Sequence, residues 1–271
     1  MTLQRQAKDA ALAAVNRVAP GFPGQLPVVL SFHAIADVSG FRANLGWLAR
    51  SGRTVVPLSA VSSWLAGQSR LPPKCAVLTF DDGYIEHHGI VAPELQRRGF
   101  PATFFVTTGH FGGTSDWAKQ SATEPPLPLM DKQRVLELAE WGFEVGAHSH
   151  RHPYLSRLPP GQLHEEVVGC KQRLEDLLCR AVSSFCYPYG DWSPEVREAV
   201  RSAGFSQAVT VERQAVAFAA DPWALPRMTL PEPCGRAEFR AYLTGTILPW
   251  LSWRRGLEAV RHRLLRRPPS V

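Results

Sequence analysis

The sequence has no uninterrupted apolar stretch of roughly eighteen residues, so no membrane-spanning helix is expected. It has no C-x-x-C pair either. Its five cysteines, Cys75, Cys170, Cys179, Cys186 and Cys234, are odd in number and scattered, which argues against a zinc ribbon and against a fully paired disulfide framework. The first residues contain no apolar run of the kind that exports a chain, because Lys8, Asp9, Asn16 and Arg17 interrupt it. These absences together predict a reducing compartment and a cytoplasmic protein. There is no internal repeat, and the body of the chain carries no basic footprint. Of the net charge of +6, five charges sit after Trp250, where Arg254, Arg255, Arg261, Arg263, Arg266 and Arg267 face the single acid Glu258. A nucleic-acid-binding domain spreads its basic residues over a folded face, so no nucleic-acid partner is expected.

A chain of 271 residues matches the length of one α/β barrel. Short runs rich in β-branched and aromatic residues occur at 28–32, 54–56, 76–80, 102–106, 144–147, 184–187 and 207–211. Between them lie stretches with helical spacing at 41–50, 58–66, 88–98, 132–141, 162–179 and 195–203. Several end on a stop signal, such as Gly99 after Arg97 and Arg98, or Gly204 after Arg201. Alternation of apolar strands with helices implies a parallel sheet covered on both faces. Seven such units fit a barrel, and an open doubly wound sheet fits as well. Residues 109–130 are rich in Gly, Pro, Ser and Thr and read as a long loop over the barrel mouth.

Three strand ends carry the candidate chemistry. The strand CAVLTF runs into Asp81, Asp82 and Gly83. Adjacent ionised carboxylates repel unless a cation or a raised pKa relieves them. One can then hold a metal while the other activates water, with Gly83 letting the backbone turn. A plain Asp-Asp-Gly turn capping the next helix explains the same residues. The second strand end is His148-Ser149-His150-Arg151-His152-Pro153, where three alternating histidines offer imidazole ligands. Pro153 biases His152 away from helical backbone, so a turn is expected there. Two histidines and one carboxylate would leave coordination positions open for water and substrate. The third is Phe185-Cys186-Tyr187-Pro188-Tyr189-Gly190, a tight turn whose backbone N–H groups either stabilise an oxyanion or merely end a strand.

In this order and combination the three motifs resemble the polysaccharide deacetylase family, the NodB-homology domain of carbohydrate esterase family 4, over about residues 27–230. The resemblance implies a distorted (β/α)7-type barrel, α/β in class, and removal of N-acetyl groups from amino-sugar polymers. It implies Asp81 as general base, Asp82, His148 and His152 as metal ligands, and the Tyr189 N–H as oxyanion donor. His150 has no place in the ligand motif. Two departures stand out. Many members tether the base with an arginine of the third motif, where this chain has Cys186. Many also carry a C-terminal Leu-x-His as general acid, whereas the comparable stretch here, Leu225-Pro226-Arg227-Met228-Thr229-Leu230, has no histidine. The segment Val28–Ile35 is similar to the circularly permuted branch that includes poly-N-acetylglucosamine deacetylases, in which the acid histidine precedes the Asp pair. This points to His33 as the acid.

The implied cofactor is a divalent metal, Zn²⁺ first, with Co²⁺, Ni²⁺ or Fe²⁺ accepted by the same ligands. The implied partner is an N-acetylated glycan, with Trp117 and Trp192 as platforms for sugar rings or else covers for the core. Two other readings stay open: a metal-dependent C–N hydrolase of a small amide, and a non-catalytic glycan-binding module. The expected organisation is an N-terminal extension over 1–26, a single barrel domain over 27–246 and a basic amphipathic tail over 247–271. In the tail, Trp253, Leu257, Val260 and Leu264 form one helical face flanked by arginines. That face suits either the inner, anionic surface of a membrane or the outside of the barrel.

Overall fold

A computed structural model describes residues 8, 10–14, 26–117, 125–217 and 220–248. The tail expected to form an amphipathic helix lies outside the described residues, apart from its first two positions. Seven strands run parallel: β1 (Val28–Phe32), β2 (Ala76–Phe80), β3 (Thr103–Val106), β4 (Glu144–Ala147), β5 (Ser184–Cys186), β6 (Gln207–Val209) and β7 (Met228–Thr229), in the sheet order β6-β5-β4-β3-β2-β1-β7. The crossovers carry α1 (Val38–Arg50), α2 (Leu58–Leu65), α3 (Ala92–Gln96), α4 (Lys132–Glu140), α5 (Pro160–His164), α6 (Cys170–Leu178) and α7 (Pro194–Ser202), and α8 (Arg236–Thr244) follows β7. No described helix is long and apolar enough to cross a membrane.

Closure depends on residues 225–229. Leu225 bridges Val209 of β6, while Met228 and Thr229 pair with Leu30 and Ser31 of β1. One short stretch therefore hydrogen-bonds to both ends of the sheet and turns it into a distorted (β/α)7 barrel. The expected strand at 54–56 is not one of the seven. Its β-branched pair Thr54-Val55 makes only an isolated bridge to Ala76, and the seventh position is taken by Met228–Thr229. Two paired residues leave too short a run for periodicity to register.

Strand residues alternate between two cores, as a period of two requires. Leu30, Phe32, Leu78, Phe80, Phe104, Val106, Val145, Phe185, Ala208 and Met228 face the helices. Val29, Val77, Phe105, Cys186, Val209 and Leu225 fill the lumen, together with Leu58 and Val61 of α2, which plugs its foot. Gly146 is where only glycine fits the lumen wall, since a Cβ there would lie 2.5 Å from the Phe105 ring. Part of the expected N-terminal extension joins this body: residues 10–14 are helical, Leu12 is buried in the outer core, and Lys8 pairs with Glu238 of α8 at 2.6 Å.

Polar residues occupy the foot of the lumen. Gln207 donates to Ser184 (2.7 Å), Ser184 donates to one oxygen of Glu144, and the other oxygen of Glu144 has no hydrogen-bond partner among the described residues. Burial raises the Glu144 pKa above the usual carboxylate range. A raised folded pKa means stability is lost as pH climbs from the unfolded value, about 4.3, through the folded one. Glu144→Gln, which keeps the Ser184 acceptor and removes the titration, is expected to raise the melting temperature at pH 8 more than at pH 4. An increment independent of pH, read by calorimetry, would contradict this.

Candidate active site

The inward parity that builds the lumen also aims the candidate residues. Val77, Thr79 and Asp81 share one face of β2 and its extension, Gly146 and His148 one face of β4, and Leu225, Arg227 and Thr229 one face of the closing stretch. Asp82 has the opposite parity. It reaches the same mouth because its backbone is left-handed, with φ 74°, and Gly83 follows at φ 80° against the Val106 side chain. Ser149, His152 and Tyr189 are left-handed too, with φ of 61°, 59° and 58°. Each such residue costs about 1–3 kcal/mol, and outliers of this kind gather where side-chain placement overrides backbone preference.

Asp82 Oδ1 lies 3.2 Å from His148 Nε2 and 3.4 Å from His152 Nε2, and the two Nε2 atoms are 3.2 Å apart. Ligand atoms about 2.0–2.1 Å from a tetrahedral ion stand about 3.3 Å from one another, so the three donors fit one divalent cation. All three residues are buried. His148 Nδ1–H donates to the Cys186 carbonyl (2.8 Å), which fixes the tautomer and frees Nε2. His152 is clamped between rings, with Trp117 stacked at 4.4 Å and Tyr189 edge-on at 4.5 Å. Burial pushes its pKa down to about 4, so the imidazole is neutral at neutral pH. Burial and the nearby Asp82 carboxylate hold the Tyr84 phenol above its usual range.

Asp81 lies beside this tripod, with a carboxylate oxygen within 4.8 Å of a His148 ring nitrogen, but its hydrogen-bond partners are different. Arg227 grips its carboxylate with both terminal nitrogens, at 2.7 Å each, and Ser31 donates to the same group at 3.2 Å. Burial alone would raise the Asp81 pKa, but the Arg227 guanidinium outweighs it and holds the carboxyl at about 2. Asp81 is thus ionised across the neutral range. His33, 43% exposed, places Nε2 3.8 Å from Asp81 Oδ2. Its carbonyl accepts from Nε2–H of the buried His87, which packs among Phe80, Tyr84 and Phe104. His33, Asp81, Asp82, Trp117, His148, His152, Tyr187, Tyr189, Val211 and Arg227 line one cavity of about 120 Å³.

The site therefore brings together Asp81, Asp82, His33, His148, His152, Tyr189 and Trp117. It leaves out two others. His150 is held outside the cavity, with Nδ1 against Thr108 Oγ1 (2.9 Å). Trp192 does not reach the cavity; it packs on the outer core and stacks on Tyr187 at 6.3 Å. The apolar indole is the part that wants burial. Arg227 is the residue that motif reading passed over. The stretch 225–230 drew attention for its missing histidine, yet alternation along it turns Arg227 inward, and a buried arginine requires a carboxylate.

The polysaccharide deacetylase model matches residues 68–208, more than half of the chain. The chain belongs to the polysaccharide deacetylase family. It is similar to Bacillus subtilis YxkH, which carries a polysaccharide deacetylase name, with 25% identity over 228 residues covering 82% of this chain and 77% of that protein. It is 24% identical over 253 residues to the poly-β-1,6-N-acetyl-D-glucosamine N-deacetylase of Escherichia coli K12, covering 78% of this chain but 38% of that longer protein. Among solved structures, IcaB from Ammonifex degensii superposes with a TM-score of 0.70 at 26% identity, covering 82% of this chain and 98% of IcaB. The family match encloses the Asp pair, the histidine motif and the third motif, and leaves His33 and Arg227 outside it.

The Asp81–Arg227 pair also bears on stability. Asp81→Ala would strand a buried guanidinium and is expected to cost about 3–5 kcal/mol in urea unfolding. A loss below about 1 kcal/mol would mean that water or another acceptor takes the place of the carboxylate.

Proposed function

We propose that this protein is a metal-dependent N-deacetylase acting on amino-sugar glycans. The observation that carries the reading is the separation of tasks at the mouth. Asp82, His148 and His152 form a tripod of cation spacing, and the neighbouring Asp81 is kept ionised by a different partner. The names of the relatives, N-deacetylases of poly-N-acetylglucosamine among them, support the same substrate class.

When bound, a divalent ion, Zn²⁺ or one of Co²⁺, Ni²⁺ and Fe²⁺, supplies Lewis-acid polarisation and makes water more acidic. Asp82, His148 and His152 would hold it. Asp81 accepts the proton of the water that attacks the acetamide carbon. The Tyr189 N–H donates to the carbonyl oxygen as negative charge builds there. His33 protonates the departing amine nitrogen as the C–N bond breaks, giving acetate and a free amino sugar. Trp117, Tyr187, Tyr189 and Val211 wall a cavity of about 120 Å³, which takes an acetamido group and the edge of its ring. The rest of a glycan stays outside, where Trp117 and Tyr189 remain partly exposed. This geometry serves a polymer better than an enclosed pocket for a whole small amide would.

Metal analysis of the purified chain, with acetate release from N-acetylglucosamine oligomers, tests the reading. Asp82→Ala and His148→Ala are expected to lose bound metal and activity together. His33→Ala is expected to keep metal and fold while turnover falls by about 10²–10⁴. A wild-type protein that binds the oligomers but holds no divalent ion and releases no acetate would instead be a glycan-binding module.

A further inference from the structure

We propose that His87 is a positioning residue for His33, so that the segment following the Asp pair sets where the acid stands over the mouth. The inference rests on the deacetylase reading for its kinetic test and on geometry for the rest. His87 lies in the helical turn after the Asp pair and is fully buried. Its ring stands edge-on to Phe80 and Tyr84, at 5.5 and 5.6 Å, and tilted against Phe104 at 5.9 Å. Rings on three sides hold the imidazole in one plane. Nε2 is 3.0 Å from the His33 carbonyl oxygen, and a carbonyl can only accept, so Nε2 carries the proton. Nδ1 has no hydrogen-bond partner among the described residues, and burial holds the pKa below the ordinary histidine value. His87 is therefore neutral and aims its single N–H at one acceptor. The aromatic setting alone would be filled as well by phenylalanine. What the imidazole adds is a donor, and the His33 carbonyl is where that donor goes.

This bond holds the backbone on the C-terminal side of His33. On the N-terminal side, the Phe32 carbonyl accepts from the Asp81 N–H at 2.9 Å. The two carbonyls flank the His33 Cα. Holding both peptide planes fixes φ and ψ between them, and with these the direction of the Cα–Cβ bond. The imidazole of His33 is itself 43% exposed and 3.8 Å from Asp81, beyond hydrogen-bond reach. Its place is thus set through its backbone. Further along the loop, the Ile35 N–H donates to Glu86 (3.3 Å) and the Asp37 N–H to Glu232 (2.7 Å). Asp81, Glu86 and His87 all belong to the short segment that carries the base and a metal ligand, so acid and base keep their separation.

The experiment uses the full, metal-loaded chain and compares wild type with His87→Phe, His87→Gln, His33→Ala and His33→Ala/His87→Phe. His87→Phe keeps a ring among the aromatics and loses the donor. On N-acetylglucosamine oligomers it is expected to lower kcat at least about tenfold, with KM within about threefold and metal content unchanged. His87→Gln, whose amide N–H can reach the same carbonyl, is expected to stand at least about threefold above His87→Phe. Once the His33 imidazole is gone there is nothing left to position, so the double variant should match His33→Ala within about twofold. A smaller loss in His87→Phe, a glutamine no better than phenylalanine, or a double variant falling further below His33→Ala would overturn the proposal. Two readouts are independent of turnover. In nitrogen-15 NMR of the wild type, His87 should carry a slowly exchanging proton on Nε2, and a proton on Nδ1 instead would refute the inference. In a crystal structure of His87→Phe the His33 side chain should be displaced, and an unmoved His33 would refute it equally. If the wild type released no acetate, the deacetylase reading would fail, while the position of His33 in that variant would still decide the role of His87.

Discussion

A fully buried guanidinium has to be met by acceptors on every side, and the upper half of this barrel is arranged around that requirement. Arg227 sits on the short stretch that joins the two ends of the sheet. Its partners come from β2, from β5 and from the backbone beyond β6. One ion pair thus crosses the lumen and ties the closing stretch to the strand that carries the Asp pair. It keeps Asp81 charged, and it gives the two neighbouring aspartates different surroundings. Asp81 faces an arginine and Asp82 faces two imidazoles. Without that division, two carboxylates at consecutive positions would compete for one proton.

Around this pair the mouth is built from strand ends under backbone constraint. Asp82, Ser149, His152 and Tyr189 all adopt left-handed backbone, a conformation that side chains other than glycine seldom take. The buried strands beneath supply the rigidity that holds them there. The rings of Trp117 and Tyr189 press on His152, and the Cys186 carbonyl orients His148. His33 is held differently. Its backbone carbonyl is anchored by His87, while its partly exposed side chain reaches to 3.8 Å from Asp81.

Much of this was legible in the sequence, because local order and chemistry coincide there. Six of the seven strands appear as apolar runs, since both faces of a covered parallel strand are buried. The Asp pair and the paired histidines appear as motifs because each set comes from one strand end, a few residues apart. His33 could be located because the strand before it ends at the same height as the strand before Asp81; Phe32 and Phe80 are in register.

Other features depended on residues far apart in the chain. β7 has two residues and no periodicity of its own; it is a strand because β6 and β1 present unpaired edges on either side of it. Trp192 and Trp117 look equivalent as isolated tryptophans, and only the path of their loops sends one to the outer core and the other onto His152. Arg227 is separated from Asp81 by 146 positions. The sequence by itself determined the strand–helix alternation, the inward parity of Asp81 and His148, and the set of groups available for chemistry. Which carboxylate faces the arginine and which faces the histidines was decided by the tertiary structure, because long-range pairing acts only once barrel closure brings the strand ends together.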